Sequence, residues 1–84
     1  MKAKVEKETI DNLLANSEII VEKKFDSMTV VWCKLPNGFI LHETSACIDP
    51  ANYDENIGKE ICMEQIRHKL WELEGYVLMS KLAQ

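Results

Sequence analysis

Apolar residues near the start of the chain recur at helical spacing. They lie close to the i, i+3, i+4 stripe of a short amphipathic helix, at Val5, Ile10, Leu13 and Leu14. Asn16 and Ser17 end this pattern. We predict an N-terminal helix within residues 1–16. Because a helix this short is unstable alone in water, we expect its apolar side to pack on the rest of the domain.

Three segments rich in β-branched and aromatic residues follow, and each is typical of a strand: residues 18–25, 28–35 and 38–44. Asp26-Ser27 separates the first two segments. Pro36-Asn37-Gly38 separates the second from the third, and Asn-Gly tolerates the positive φ angles of a tight hairpin. The pattern predicts a three-stranded antiparallel β-meander over residues 18–45.

The middle strand of this meander is apolar on both faces, in the run Val30-Val31-Trp32-Cys33. Strands that are covered on one side only alternate apolar and polar residues. We therefore expect a second layer on the other face of the sheet. Either the N-terminal helix or a second copy of the protein fits this role.

The last third of the chain returns to a helical period. Its apolar residues predict a core-facing stripe at Ile57, Ile61, Ile66, Leu70, Leu73 and Val77. Gly75 either caps this helix or allows Tyr76 to approach a neighbour closely. We predict one α+β domain over residues 1–84, in which the C-terminal helical segment, residues 49–82, packs across the sheet.

The turn between the sheet and the long helix contains two helix starts in succession. Asp49 is placed as an N-cap with Pro50 at the first helical position, and Asp54 is placed as a second N-cap. Ile48 and Tyr53 flank the first start at the spacing of a hydrophobic staple. The sequence therefore predicts a short helical turn that leads into the long helix.

Helix-start architecture leaves several residues of this turn unexplained, namely Ser45, Cys47, Asn52 and Tyr53. They converge on helix N-termini, where free N–H groups favour anionic or phosphate-bearing ligands. Three acidic residues in the same turn, Asp49, Asp54 and Glu55, would repel an anion. Two hypotheses remain open: the turn is a ligand site, or it is only architecture.

Two tryptophans, Trp32 and Trp71, complete the set of candidate ligand or partner contacts. Large aromatic residues are more often core or interface anchors than ligand stackers. If either side chain is exposed to solvent in a monomer, it marks a partner surface.

Composition removes several classes of function. Fourteen acids against ten bases give a net charge of −4, so we expect no direct nucleic-acid binding. The chain has no apolar run of about 18 residues and no apolar signal segment, so we expect no membrane contact, a location in the cytoplasm and reduced thiols. The small core of an 84-residue domain favours self-association as a homodimer or higher homo-oligomer.

The residue types offer little for catalysis or metal binding. Cys33, Cys47 and Cys62 form no C-x-x-C pair, and no histidine lies at zinc-ligand spacing from them. The only nucleophile arrangement worth testing is Cys47 with His42, and no third group is indicated to orient this pair. We expect no enzyme activity, no metal site and no cofactor.

Two blocks of residues are specific enough to indicate a family: residues 45–52, Ser-Ala-Cys-x-Asp-Pro-x-Asn, and residues 71–76, Trp-x-Leu-Glu-Gly-Tyr. With the positions between them, they resemble a family of small tailed-phage proteins named after gene product forty-nine and gene sixty-six of two phages. The resemblance covers residues 28–79. It implies a phage or prophage origin and expression in a bacterial cytoplasm, and it implies no activity.

The sequence as a whole favours a non-catalytic phage accessory protein that acts by binding, as a host-takeover or anti-defence factor. Its target would be a host protein that it blocks or a nucleotide-derived signal that it sequesters. A small structural or assembly protein of the virion is an alternative of a second class. A cysteine-dependent enzyme built on Cys47 is a third.

Overall fold

The structure is a computed structural model that describes residues 4–84. Its elements are helix α1 (Lys7–Ala15), strands β1 (Glu18–Lys24), β2 (Met28–Lys34) and β3 (Ile40–Ala46), a 3-10 turn (Pro50–Asn52) and helix α2 (Glu55–Leu82). The strands form one antiparallel sheet in the order β1-β2-β3, and α2 packs across it. The predicted α+β fold is confirmed. Residues 1–3 of the helix predicted within residues 1–16 lie outside the described residues.

The turn between β2 and β3 confirms the predicted hairpin. The Leu35 N–H donates to the Phe39 carbonyl at 2.8 Å, and the Gly38 N–H donates to the Leu35 carbonyl at 2.8 Å. Gly38 has a φ of 94°, whereas Asn37 does not take a positive φ. A single glycine therefore supplies the left-handed conformation that the sequence suggested for the Asn-Gly pair.

The turn between β1 and β2 places two non-glycine residues in the left-handed region. Phe25 has a φ of 53° and Asp26 a φ of 61°. Two successive positive φ angles match the right-handed twist of the flanking strands, which is why tight hairpins use them. Phe25 therefore belongs to the turn, and β1 ends one residue earlier than its aromatic side chain suggested.

The core lies between one face of the sheet and the two helices. Its buried side chains are Ile10, Val31, Cys33, Leu35, Leu41, Cys62, Ile66 and Leu70. Because Ile10 belongs to the same cluster as the buried residues of α2, both helices cover the same face of the sheet. The N-terminal helix is therefore not the second layer that the middle strand suggested, and no element of residues 4–84 covers the other face.

The side of α2 that faces the core differs from the predicted stripe. Its buried residues are Gly58, Cys62, Ile66 and Leu70, one every four residues. Three residues that were predicted in the core are exposed: Ile57, Ile61 and Val77. The reason is a close crossing: a Cβ on Gly58 would lie 2.3 Å from Thr29 Oγ1, so only a residue without a side chain fits where α2 passes β2.

α2 is much longer than the strands that it crosses. Its 28 residues span ~42 Å, against ~23 Å for a strand of 7 residues. The described chain accordingly measures 52 × 20 × 18 Å along its principal axes. In the part of the chain that the structure describes, no helix has both the length and the apolar character needed to cross a bilayer.

Candidate functional site

Both predicted helix starts are present in the turn after β3. The Asp49 carboxylate accepts a hydrogen bond of 3.0 Å from the Ala51 N–H at the start of the 3-10 turn. The Asp54 carboxylate accepts from the N–H groups of Asn56 and Ile57, at 2.9 and 3.3 Å, at the start of α2. These carboxylates occupy N–H groups that an anionic ligand would need, which weakens the phosphate-site hypothesis.

The predicted hydrophobic staple between Ile48 and Tyr53 is wrong. Ile48 is fully exposed, so it packs on no residue of the described chain. Tyr53 instead turns towards the sheet, where its hydroxyl shares a hydrogen bond of 2.8 Å with the buried Thr29 hydroxyl. The Lys23 ammonium lies 4.9 Å from the centre of the Tyr53 ring. A 3-10 turn of three residues is too short to supply the fourth helical position that a staple needs.

Four of the six candidate residues line one cavity, where the end of the sheet meets the start of α2. These are Ser45, Cys47, Asn52 and Tyr53. The cavity has a volume of about 140 Å³ and is also bounded by Ser27, Thr29, Ala46, Asp54, Ile57, Gly58 and Ile61. The four turn residues that helix capping did not explain are therefore neighbours in space. Trp32 and Trp71 are not among the residues that line it.

The size and lining of this cavity limit what it holds. Pockets for small organic ligands usually measure about 300–1,000 Å³, so a cavity of 140 Å³ in one chain admits only a fragment of such a molecule. Hydroxyl, amide and thiol groups line it together with the Asp54 carboxylate. These groups suit a small neutral or cationic polar group better than an anion.

Cys47 and His42 do not form a catalytic pair. Five residues of extended chain separate their Cα atoms by ~16 Å. The Cys47 thiol lies 3.3 Å from the Asp49 carbonyl and 3.5 Å from the Ser27 carbonyl, and it is oriented as a donor to both. The His42 ring instead lies against Trp32, with ring centroids 5.6 Å apart.

The other two cysteines are core residues with free thiols. Burial raises the pKa of the Cys33 thiol, and it raises the pKa of the Cys62 thiol as well, to which the Glu43 carboxylate adds. A raised pKa disfavours the reactive thiolate form. Among residues 4–84, no three His, Cys, Asp or Glu side chains lie close enough to hold a metal ion.

A second candidate surface is the uncovered side of the sheet, which we call the outer sheet face. Ile20, Trp32 and His42 are direct neighbours across β1, β2 and β3, and Ile40 lies diagonally next to Trp32. Trp32 is 39% exposed, and its indole N–H donates to the Glu22 carboxylate at 2.7 Å. Of these residues, only Trp32 was predicted from the sequence as a partner contact. The two-residue period of each strand would have added Ile20 and Ile40.

Trp71 lies on α2, outside the line of residues that α2 buries, and is 37% exposed. Each tryptophan is therefore partly accessible to solvent in the single chain. Under the expectation that an exposed tryptophan marks a partner surface, the molecule has two such surfaces, one on the sheet and one on the helix.

Comparison with known proteins places the chain among phage proteins. No protein with a curated description and no solved structure matches it. One family model matches residues 2–82, and it describes the phage protein family of N4 Gp49 and phage Sf6 gene 66. The match extends well beyond residues 28–79, where the recognisable blocks lie, and includes α1. The protein belongs to the N4 Gp49/phage Sf6 gene 66 family of phage proteins.

Proposed function

We propose that the protein is a non-catalytic phage accessory protein that acts in the cytoplasm of the infected bacterium by binding and blocking a host protein. It would serve as a host-takeover or anti-defence factor. The observation that carries this proposal is the outer sheet face, where a tryptophan of the central strand and an isoleucine of each edge strand are exposed. Membership of a phage family supplies the host context.

The outer sheet face has the composition of a binding surface. Tryptophan is the residue most enriched at the energetic centres of protein interfaces, and Trp32 is flanked by Ile20 across the strand pair. Glu22 holds the Trp32 indole through a hydrogen bond of 2.7 Å. A side chain that is already fixed loses little conformational entropy on binding, which favours affinity.

Charges around this apolar centre indicate the chemistry of the partner. Glu18 and Glu22 lie on β1, and Lys34 lies on β2 beside Glu18 in the strand pairing. We therefore propose a host protein that offers an apolar pocket for Trp32, with basic groups on the β1 side. The rim charges would set the rate of association, and the apolar centre would set the lifetime of the complex.

The proposal is tested by capturing host proteins from lysate of infected cells and then measuring direct binding to the purified candidate. Ile20→Lys places a charge in the outer sheet face. Val77→Lys is its matched control, because Ile20 is 47% exposed and Val77, on α2, is 41% exposed. We expect Ile20→Lys to weaken binding at least tenfold and Val77→Lys to leave it unchanged. Equal affinities for the two variants would contradict the proposal.

A second target, a nucleotide-derived signal, is supported by the cavity that Ser45, Cys47, Asn52 and Tyr53 share. Its 140 Å³ suits part of a nucleotide rather than the whole molecule within one chain. A thermal-shift screen against a panel of nucleotides tests this version. A shift that Asn52→Ala abolishes would support it, and no shift across the panel would remove it.

Two further measurements separate the binding role from its alternatives. A virion structural protein must be present in purified phage particles, so mass spectrometry of particles is decisive, and we expect it to find no copy of this chain. A cysteine-dependent enzyme must fail when Cys47 is replaced. We expect Cys47→Ser to leave host-protein binding unchanged, since the Cys47 thiol lies away from the outer sheet face.

A further inference from the structure

α2 carries a second line of residues outside its buried line, and five of its eight members are apolar. We call it the outward stripe, and its positions alternate in steps of four and three: Ile57, Ile61, Glu64, His68, Trp71, Gly75, Leu78 and Leu82. Ile57, Ile61, Trp71 and Leu82 are between 37% and 56% exposed. A helix that serves only one core needs a single apolar side, so the outward stripe calls for a separate explanation.

The spacing of the outward stripe is that of a coiled-coil seam. Strict alternation of four and three residues is the a and d pattern of a heptad repeat, which is narrower than the stripe that packs on a globular core. The pattern persists over 26 residues, from Ile57 to Leu82, or ~39 Å of helix. Two polar residues, Glu64 and His68, occupy its middle.

Gly75 supplies an independent observation. Glycine inside a helix is less favourable than alanine by about 1 kcal/mol, so an interior glycine needs a reason. No heavy atom of residues 4–84, apart from its immediate neighbours and its own helix backbone, lies within 4 Å of the position that a Cβ on Gly75 would occupy. α2 also continues through Gly75 to Leu82, so this glycine is not the cap that the sequence allowed. Close approach by a neighbour outside the described chain would account for a glycine at this position.

We propose that this neighbour is a second copy of the protein, whose α2 packs antiparallel along the outward stripe. Antiparallel pairing of the heptad positions aligns four layers, each present twice: Ile57 with the partner's Leu82, Ile61 with the partner's Leu78, Glu64 with the partner's Gly75, and His68 with the partner's Trp71. Apolar pairs close both ends of the seam. The absent side chain of the partner's Gly75 leaves room for Glu64.

Charges beside the seam favour a second copy in this orientation. In an antiparallel coiled coil, the g positions of one helix face the g positions of the other. The g positions of the outward stripe are Glu60, Arg67, Glu74 and Lys81. Glu60 then faces the partner's Lys81. Arg67, which also pairs with Asp11 of its own chain, faces the partner's Glu74, so both contacts join opposite charges. A parallel pair would instead stack Glu64 on the partner's Glu64 inside the seam, where like charges are unfavourable.

The size of the contact sets the expected affinity. A seam ~39 Å long and ~10 Å wide covers roughly 400 Å² of flat surface per partner, or roughly 800 Å² in total, which is below the ~1,200 Å² of a standard specific interface and typical of weak association. We therefore expect a dissociation constant in the micromolar range. The sheets would lie on the outside of a four-layer dimer, with both outer sheet faces still accessible.

The dimer has a consequence for the turn cavity. Ile57 and Ile61 line that cavity and also begin the outward stripe. The partner's Leu82 pairs with Ile57, so the end of the partner's α2 would border the cavity. Each cavity would then be completed by the second copy. This inference uses α2 and not the outer sheet face, so it stands or falls independently of host-protein binding.

Sedimentation velocity of the full chain over a range of concentrations tests the proposal. We expect a concentration-dependent dimer that Leu78→Lys converts to a monomer at all concentrations. Val77→Lys is the control, because Val77 is the next residue along α2 but lies outside the outward stripe, and it should leave the dimer intact. A wild-type chain that stays monomeric at millimolar concentration would overturn the proposal, and so would a dimer that survives Leu78→Lys.

Charge reversal tests the orientation. Lys81→Glu and Glu60→Lys should each raise the dissociation constant, by about threefold to tenfold, and the double variant should restore it. A parallel pair places neither residue opposite the other, so failure of the double variant to restore affinity would overturn the antiparallel arrangement. Circular dichroism of each variant checks that α2 remains helical.

Gly75→Ala gives a readout that a purely structural glycine would not produce. The substitution should raise the melting temperature of the monomer and raise the dissociation constant of the dimer, because the added methyl group enters the seam beside the partner's Glu64. An unchanged dissociation constant would overturn the role of Gly75. The variant would thus stabilise the monomer and weaken the dimer, and a change in helix propensity alone cannot produce both effects.

Discussion

The two glycines inside α2 lie in opposite surroundings, although they are 17 residues apart on one helix. A side chain on Gly58 would collide with Thr29, whereas one on Gly75 would meet nothing within residues 4–84. The helix accordingly has an anchored half, residues 55–70, which packs on the sheet, and a terminal half, residues 71–82. Only Leu73 of the terminal half packs against the core cluster.

This difference shows how one helix serves two purposes. In the anchored half, burial of Cys62, Ile66 and Leu70 stabilises the domain. In the terminal half, most apolar residues are exposed and contribute little to the stability of the single chain: Trp71, Tyr76, Val77, Met79 and Leu82. Their apolar character is better explained by association than by folding. The following predictions test this division, and each is measured in the Leu78→Lys background so that dimer formation does not contribute.

The largest expected contrast comes from truncating a leucine in each half. Leu70 is 1% exposed and Leu82 is 45% exposed. Leu70→Ala should lower the free energy of unfolding by about 2–5 kcal/mol, because it leaves a cavity in the core. Leu82→Ala should change it by less than about 0.5 kcal/mol. Urea unfolding measures both, and similar losses for the two variants would contradict the division of α2.

Gly58→Ala should be the next most damaging change. The added Cβ would lie 2.3 Å from Thr29 Oγ1 and 2.9 Å from Thr29 Cβ, so α2 must move away from β2. We expect a loss of about 1–3 kcal/mol in the free energy of unfolding, despite the gain in helix propensity. In the double variant with Thr29→Ala, the combined loss should be smaller than the sum of the single losses, since the closer of the two collisions, with Thr29 Oγ1, is then removed. Additive losses would show that contact with Thr29 is not the reason why Gly58→Ala lowers stability.

Gly75→Ala should have a smaller effect of the opposite sign. With no collision within the described chain, only the helix propensity changes, and the monomer should gain about 0.5–1 kcal/mol in stability. The same urea titration measures this gain. A loss of stability would show that the terminal half packs on the domain after all, and it would remove the contrast between the two glycines.

Local signals in the sequence were sufficient to predict much of the fold. The element order, the hairpin at Gly38 and the caps at Asp49 and Asp54 were predicted, because each depends on residues within a few positions of one another. The side that α2 buries was predicted wrongly at Ile57, Ile61 and Val77. It is decided by the contact of Gly58 with Thr29, 29 residues away, and no local pattern reports such a contact.

The candidate site shows the same limit. Ser45, Cys47, Asn52 and Tyr53 were grouped because they are close in sequence, and they do line one cavity. The outer sheet face joins three strands, so it required the register that pairs Ile20 with Trp32 and Trp32 with His42. The five-residue step between Ile61 and Ile66 in the predicted stripe was the overlooked signal that α2 has two apolar sides.

The smallest predicted effect concerns the ion pair between Arg67, in the anchored half of α2, and Asp11 of α1. Hydrogen bonds from Arg67 and Lys7 hold the pKa of the Asp11 carboxyl below its usual value of 3.8. Because the folded pKa is depressed, this contact stabilises the fold above the unfolded pKa, and the contribution is lost as the pH falls through the folded pKa. Asp11→Asn should therefore lower stability at neutral pH.

The difference in stability between the Leu78→Lys protein and the same protein with Asp11→Asn should shrink as the pH falls below 3.8, and it should vanish once Asp11 is protonated in the folded state. Urea unfolding from about pH 7 to about pH 2 measures this convergence. Glu72→Gln, which removes an exposed carboxyl from the terminal half, is the control and should produce no comparable gap. If the Asp11→Asn gap is constant with pH, the variant acts through packing of α1, and the anchored half is held by apolar burial alone.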